Sequence, residues 1–166
     1  MKKIFLIAAL IATAFTQQLF AQGAKSTVLS PLLTSYYSVK NALIASASPE
    51  AAAGSAEFVK LLSAVDMKSL PAADMEAFMS LQEKLSADAR RISESKDISL
   101  QRERFANLSA NFFKLAKAVK LTDQAVYYDY CPMKKSYWLS ADASIKNPYY
   151  GNQMLTCGKV SETLNK

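Results

Sequence analysis

Four sulfur atoms near the C-terminus are the chemistry this sequence offers. Cys131 and Met133 stand two residues apart, Met154 and Cys157 stand three apart, and the chain has 2 cysteines in all. In an extended segment residues i and i+2 point to the same side, so Cys131 and Met133 are expected to face one partner. The second spacing converges in a turn or at a helix end. Thiolate with thioether is a soft donor set, which selects Cu(I) over hard cations. A site built from Cys131, Met133, Met154 and Cys157 is therefore expected to hold Cu(I), and next Ag(I). Zinc is disfavoured, since thioether is a poor ligand for it and only two thiolates are present. The same cysteines support a second reading. A Cys131–Cys157 disulfide would close a loop of about 27 residues, stabilise the fold by roughly 3–4 kcal/mol and remove both thiolates from metal binding. A cycling dithiol ranks last, because no Cys-x-x-Cys is present.

The residues around these sulfurs are aromatic. Six of the 8 tyrosines and the 1 Trp lie between Tyr127 and Tyr150. Tyr130, Trp138, Tyr149 and Tyr150 are candidates for a shield around a sulfur-bound cation or for a partner surface. The plainer reading makes them amphipathic rings covering one end of the domain.

Other chemistries are excluded or unsupported. The chain of 166 residues has no His, which removes Ser-His-Asp and Cys-His catalysis and imidazole zinc sites. No carboxylate pair stands out for acid/base work, so the expectation is a non-enzymatic protein. The net charge of +6 is mild, and no Lys/Arg run exceeds two, so nucleic-acid binding has no support.

The elements that must carry the sulfurs are mostly helical. From Val28 to about Leu121, Gly is almost absent and apolar residues recur at helical spacing. The stripes are Leu29, Leu32, Leu33, Tyr36, Val39, Leu43; then Ala52, Ser55, Val59, Leu62, Val65, flanked by Phe58 and Leu61. The third is Met75, Phe78, Gln82, Leu85, Ala89, Ile92, widened by Met79 and Leu81. The fourth is Phe105, Leu108, Phe112, Leu115, Val119. Breaks fall at Ser46–Pro49, Asp66–Pro71 and Ser93–Asp97, with Ser48 and Asp97 as N-caps and Pro31 and Pro49 in first turns. Alternating spacings of three and four, joined by short turns, predict an antiparallel four-helix bundle. Beyond Leu121 helical period is lost, and an irregular Tyr/Cys/Met-rich segment is expected. It has short extended pieces near Val126–Cys131 and Met154–Cys157, a turn at Asn147–Gly151 and a last helical turn at Ser161–Leu164. The predicted fold is thus all-α: a single domain over 22–166, with helices in 28–121 and a Cys/Met tail in 122–166.

The first 21 residues read as a signal peptide. Lys2-Lys3 precedes an apolar run from Ile4 to Ala14, about 11 residues where a bilayer span needs roughly 20. The cut is expected after Ala21, or after Ala24. The mature chain is expected in the periplasm, or secreted, without stable membrane insertion.

Longer motifs resemble a known family. The tail Tyr127-Tyr128-Asp129-Tyr130-Cys131-Pro132-Met133, Tyr137-Trp138-Leu139-Ser140, Ile145 to Gly151 and Met154-Leu155-Thr156-Cys157-Gly158 is similar to the bacterial domain of unknown function DUF3347. So are Ile92 to Ile98, Gln101-Arg102, Phe105 to Ser109, and the Tyr-x-x-x-Lys-x-Ala-Leu pattern from Tyr36 to Leu43. The resemblance spans about Val28 to Leu164, with the tail motifs the more specific. It implies an exported protein of Bacteroidetes-like bacteria, of a kind that also occurs with periplasmic adaptors of copper/silver efflux pumps. Tyr130-Cys131-Pro132-Met133 also resembles the short heavy-metal-binding domain of such systems. The implied ligands are Cys131, Met133, Met154 and Cys157. Relatives often carry histidines near the start of the fourth helix, and this chain has none, so a site using imidazole would be altered. The expected function is soft-metal binding, for sequestration or transfer to an efflux adaptor. The alternative is an interaction bundle with a structural Cys131–Cys157 disulfide.

Overall fold

The computed structural model describes residues 28–165. The signal peptide read at residues 1–21, and its cut sites, lie outside the described residues. Four helices follow in chain order, each packed on the next: α1 Ser30–Ile44, α2 Ser48–Ser63, α3 Ala72–Ser93 and α4 Ile98–Ala118. Pro31 and Pro49 occupy first turns, where a missing N–H costs nothing. Asp97 caps α4 by accepting from the Ser99 amide at 2.7 Å. Ser48 does not cap α2. It is the first helical residue, and its hydroxyl donates to the Lys96 carbonyl (2.6 Å), tying the start of α2 to the α3–α4 turn.

The apolar stripes of α1 and α4 are buried throughout. The α2 face is turned by one position: Ala51, Ser55, Phe58 and Leu62 are interior, because the bulky Phe58 takes the centre and meets Phe112 edge-on at 5.5 Å. Gly54 lets α2 approach α1 closely, since a Cβ there would lie 3.2 Å from a Val39 methyl. Met79, expected to widen the α3 face, is 61% exposed. No helix among the described residues is long and apolar enough to cross a membrane.

Tyr36 joins the first helix to the last. Its ring stacks on Phe105 (5.2 Å) and Phe112 (5.0 Å) of α4, and its hydroxyl bonds the Ser109 hydroxyl (2.5 Å). It also accepts from the Leu139 amide (3.0 Å), so one side chain links α1, α4 and the C-terminal region. Burial drives the phenol's pKa far above the tyrosine range, which keeps it neutral.

The all-α expectation fails beyond Leu121. The C-terminal part is a three-stranded antiparallel sheet, order β2-β1-β3, with β1 Val126–Cys131, β2 Ser136–Ser140 and β3 Lys159–Leu164. β1 coincides with the expected extended piece. The other pieces do not: Met154–Cys157 is a turn after a 3-10 turn at Gly151–Gln153, and Ser161–Leu164, expected as helix, is strand. The cause is cross-strand pairing. Tyr, Trp, Val and Thr suit a pleated, half-buried surface, but five- and six-residue strands carry too little period to declare themselves alone. Phe113 of α4 stacks on Tyr128 (3.4 Å), which stacks on Tyr137 (4.7 Å), so one sheet face lies on α4 through a column of rings. β3 carries one residue more than β1 between Glu162 and Val160, a bulge at Ser161.

Candidate functional site: a thiol pair at the end of the sheet

Cys131 closes β1, opposite Ser136, and is fully buried. Pro132, Met133, Lys134 and Lys135 then turn the chain back into β2, with Lys135 in the left-handed conformation (φ 53°). The Lys134 amide donates to the Cys131 sulfur at 3.4 Å, so the turn closes on the thiol.

Cys157 arrives from the other direction, half-buried just before β3. The register that pairs Tyr130 with Lys159 brings Gly158 beside the end of β1. A Cβ on Gly158 (φ 155°) would lie 2.8 Å from the Trp138 ring and 3.1 Å from the Tyr130 carbonyl, so only glycine lets the chain pass there. The Cys157 thiol is pushed above its ordinary pKa, first by burial, then by the charge of Cys131 and a hydrogen bond with it. The Tyr130–Lys159 register and the close approach of Gly158 to the Tyr130 carbonyl bring the Cys157 segment to the end of β1 that carries Cys131, and both cysteines are free thiols.

Buried Asn147 fixes the segment that carries Cys157. Its amide donates to the Cys157 carbonyl (2.6 Å), its backbone N–H to the Leu155 carbonyl (2.7 Å), and its side-chain oxygen accepts from the Tyr149 amide (2.8 Å). Gly151 N–H returns to the Asn147 carbonyl (3.0 Å), closing the expected turn. Arg102 anchors the same turn to the bundle, donating to Pro148 O (3.0 Å), Leu43 O (2.9 Å) and the Ser46 hydroxyl (2.8 Å).

The thioethers are placed differently from the thiols. Met133 sits in the hairpin turn, 64% exposed, so the i, i+2 argument stops at Cys131, where the strand ends. Met154 is half-buried, and its carbonyl accepts from the Cys157 amide (3.0 Å). Among the aromatic candidates, Trp138 and Tyr149 are interior, 6.0 Å apart edge-to-face, and the Tyr149 hydroxyl donates to the Tyr137 carbonyl. Tyr130 and Tyr150 are half-buried. An aromatic partner surface therefore has only Tyr130 and Tyr150 of the four to draw on.

Sequence reasoning missed a polar cluster nearby. Asp129, on the same strand face as Cys131, is fully buried with both carboxylate oxygens unpartnered, as are the Tyr37 hydroxyl and the Trp138 indole N–H. Burial raises the Asp129 pKa to about 7, against an opposing pull from Lys40. Lys40, itself buried, reaches the Ser140 hydroxyl (3.4 Å) and lies over the Tyr37 ring. The signal was present: Lys40 stands four residues after Tyr36 on an apolar stripe.

Among the described residues no group of three Cys, Asp or Glu converges as a metal-binding set. The donors available to a soft cation are thus the two thiols with the thioethers that flank them. Surface grooves of about 680 Å³ between α1 and α2, and about 440 Å³ between α3 and α4, are lined by none of the sulfur residues.

Neither a curated protein nor a solved structure matches this chain. The family match covers residues 32–124, which takes in nearly all of the four helices and stops before β1. The resemblance seen in the tail motifs therefore lies outside the matched span, and so do all four candidate sulfur ligands. On that match, described as "Protein of unknown function (DUF3347)", the chain belongs to the DUF3347 family.

Proposed function

We propose that the protein binds a soft monovalent cation, Cu(I) or Ag(I), between Cys131 and Cys157, for sequestration or transfer to a periplasmic efflux adaptor. The observation that supports the reading is the approach of two separately fixed segments, each carrying a free thiol, at the end of β1. Two thiolates suit a closed-shell d¹⁰ cation, which accepts few ligands and prefers sulfur. Binding releases the thiol protons, and the Lys134 amide donates to the Cys131 sulfur. Lys134, Lys135 and Lys159 border the pair in sequence and offset the net negative charge of two thiolates on one monovalent cation.

The thioethers suit entry and exit. Met133 presents sulfur to solvent directly after buried Cys131, and Met154 lies in the turn that delivers Cys157. A cation would pass by ligand exchange from an exposed thioether to Cys157 and then to Cys131, with no bond-making chemistry. Competition against a Cu(I) chelator under reducing, anaerobic conditions tests this. Cys157→Ser should lose affinity by at least about 100-fold, Met133→Leu by roughly tenfold or less, and Met79→Leu should change nothing. Equal affinity in wild type and Cys157→Ser refutes the assignment.

A further inference from the structure

We infer that Cys131 and Cys157 also form a reversible dithiol–disulfide couple that exchanges with small soluble disulfides, Cys157 attacking and Cys131 resolving. The half that concerns cation release rests on the reading above; the exchange itself does not.

The geometry gives the order of events. Cys157 is half-buried in a turn, whereas Cys131 is fully buried at a strand end. An outside disulfide can reach only the first. Its thiolate attacks one sulfur of R–S–S–R, forming a Cys157–S–S–R bond and releasing RS⁻. Cys131, at the end of β1 to which the Tyr130–Lys159 register and Gly158 bring the Cys157 segment, then attacks the Cys157 sulfur. The mixed bond breaks, the Cys131–Cys157 bond forms, and a second RS⁻ leaves. The two protons of the thiols end on the two RSH released, so two thiols are oxidised and one disulfide is reduced. The Lys134 amide, which donates to the Cys131 sulfur, holds the resolving group in place.

Ring closure needs little rearrangement, because both backbones are already held. Cys131 is fixed by pairing with Ser136 and Cys157 by Asn147, while Gly158 supplies the close passage between them. The missing Cys-x-x-Cys spacing is replaced by a tertiary one. The recessed site selects small disulfides over protein disulfides. Once the bond forms, neither sulfur is a thiolate, and a bound soft cation loses both of its best ligands.

The test uses the reduced, metal-free chain with oxidised glutathione in the presence of a chelator, quenched by alkylation and read by peptide mass. The expected course is a transient glutathione adduct on Cys157, then a species about 2 Da lighter than the reduced chain, with the peptides of Cys131 and Cys157 cross-linked. Cys131→Ser should accumulate the Cys157 adduct; the wild-type time course carries the order of attack without it should that variant not fold. A first adduct on Cys131, or two alkylatable thiols persisting in millimolar oxidised glutathione, overturns the inference. Ag(I) binding by reduced and oxidised chains separates the two claims. A disulfide that forms without loss of Ag(I) binding refutes the cation reading and leaves exchange standing. Ag(I) binding with no disulfide formed does the reverse.

Discussion

The side-chain amide of Asn147, itself without solvent exposure, donates to the carbonyl of Cys157 at 2.6 Å. One buried residue thus sets where the second thiol stands, and the turn from Asn147 to Gly151 is part of the site although it contributes no sulfur. Asn147→Ala strands the Cys157 carbonyl and the Tyr149 amide that its side chain now serves. It should cost about 2–3 kcal/mol in urea unfolding and speed Cys157 alkylation in the folded protein several-fold. Unchanged stability and thiol reactivity would remove Asn147 from the account.

Gly158→Ala tests the close passage. The added methyl would sit 2.8 Å from the Trp138 ring with the backbone at φ 155°, a conformation that disfavours side chains. The expected cost is about 1–3 kcal/mol, with a shift in Trp138 emission, which has no other tryptophan to obscure it. A variant as stable as wild type would show that the strand is free to move away.

Arg102 joins three carbonyl or hydroxyl oxygens from the end of α1 and the Asn147 turn. Arg102→Ala should destabilise the fold by about 2 kcal/mol and raise amide exchange at Gly151, whose N–H bonds Asn147 within that turn. Exchange rates at Gly151 that match wild type would contradict the anchoring role.

Much of this arrangement was legible in the sequence, for a physical reason. The α4 stripe from Phe105 to Val119 is long enough for its period to be plain, and every member is buried. Asp97 and the prolines mark helix starts because their effects are local. β2 and β3 were not legible, since their partner β1 decides their state, and Ser161 falls in a bulge that only the pairing reveals. At the site, the adjacency of Cys131 and Cys157 follows from that pairing, whereas placing Met133 on the strand overran the strand's end. Trp138 and Tyr149, candidates for a cation shield or a partner surface, fill the space between the sheet and the bundle.

Asp129 should imprint a pH dependence on stability. Its folded pKa, about 7, stands above the ordinary carboxyl value of 3.8, with burial the larger cause and Lys40 opposing. The unfolded chain therefore ionises this group first as pH rises. The stabilisation is complete below about pH 4, declines between about pH 4 and 7, and is level above. At about 1.4 kcal/mol per unit, the decline amounts to a few kcal/mol. Asp129→Asn should flatten the profile, while the charged or titratable groups around it, Lys40, Tyr37, Asp142 and Lys146, remain in place. Parallel profiles for wild type and Asp129→Asn would contradict this.

The measurement that bears most directly on the thiol pair is anaerobic Cu(I) titration of the reduced chain with native mass spectrometry, which counts metal ions and protons together. The account predicts one Cu(I) per chain, with displacement of the two thiol protons, and none retained by Cys131→Ser or Cys157→Ser under chelator competition. Retention of Cu(I) by both serine variants, or no Cu(I) held by the reduced wild type, would contradict it.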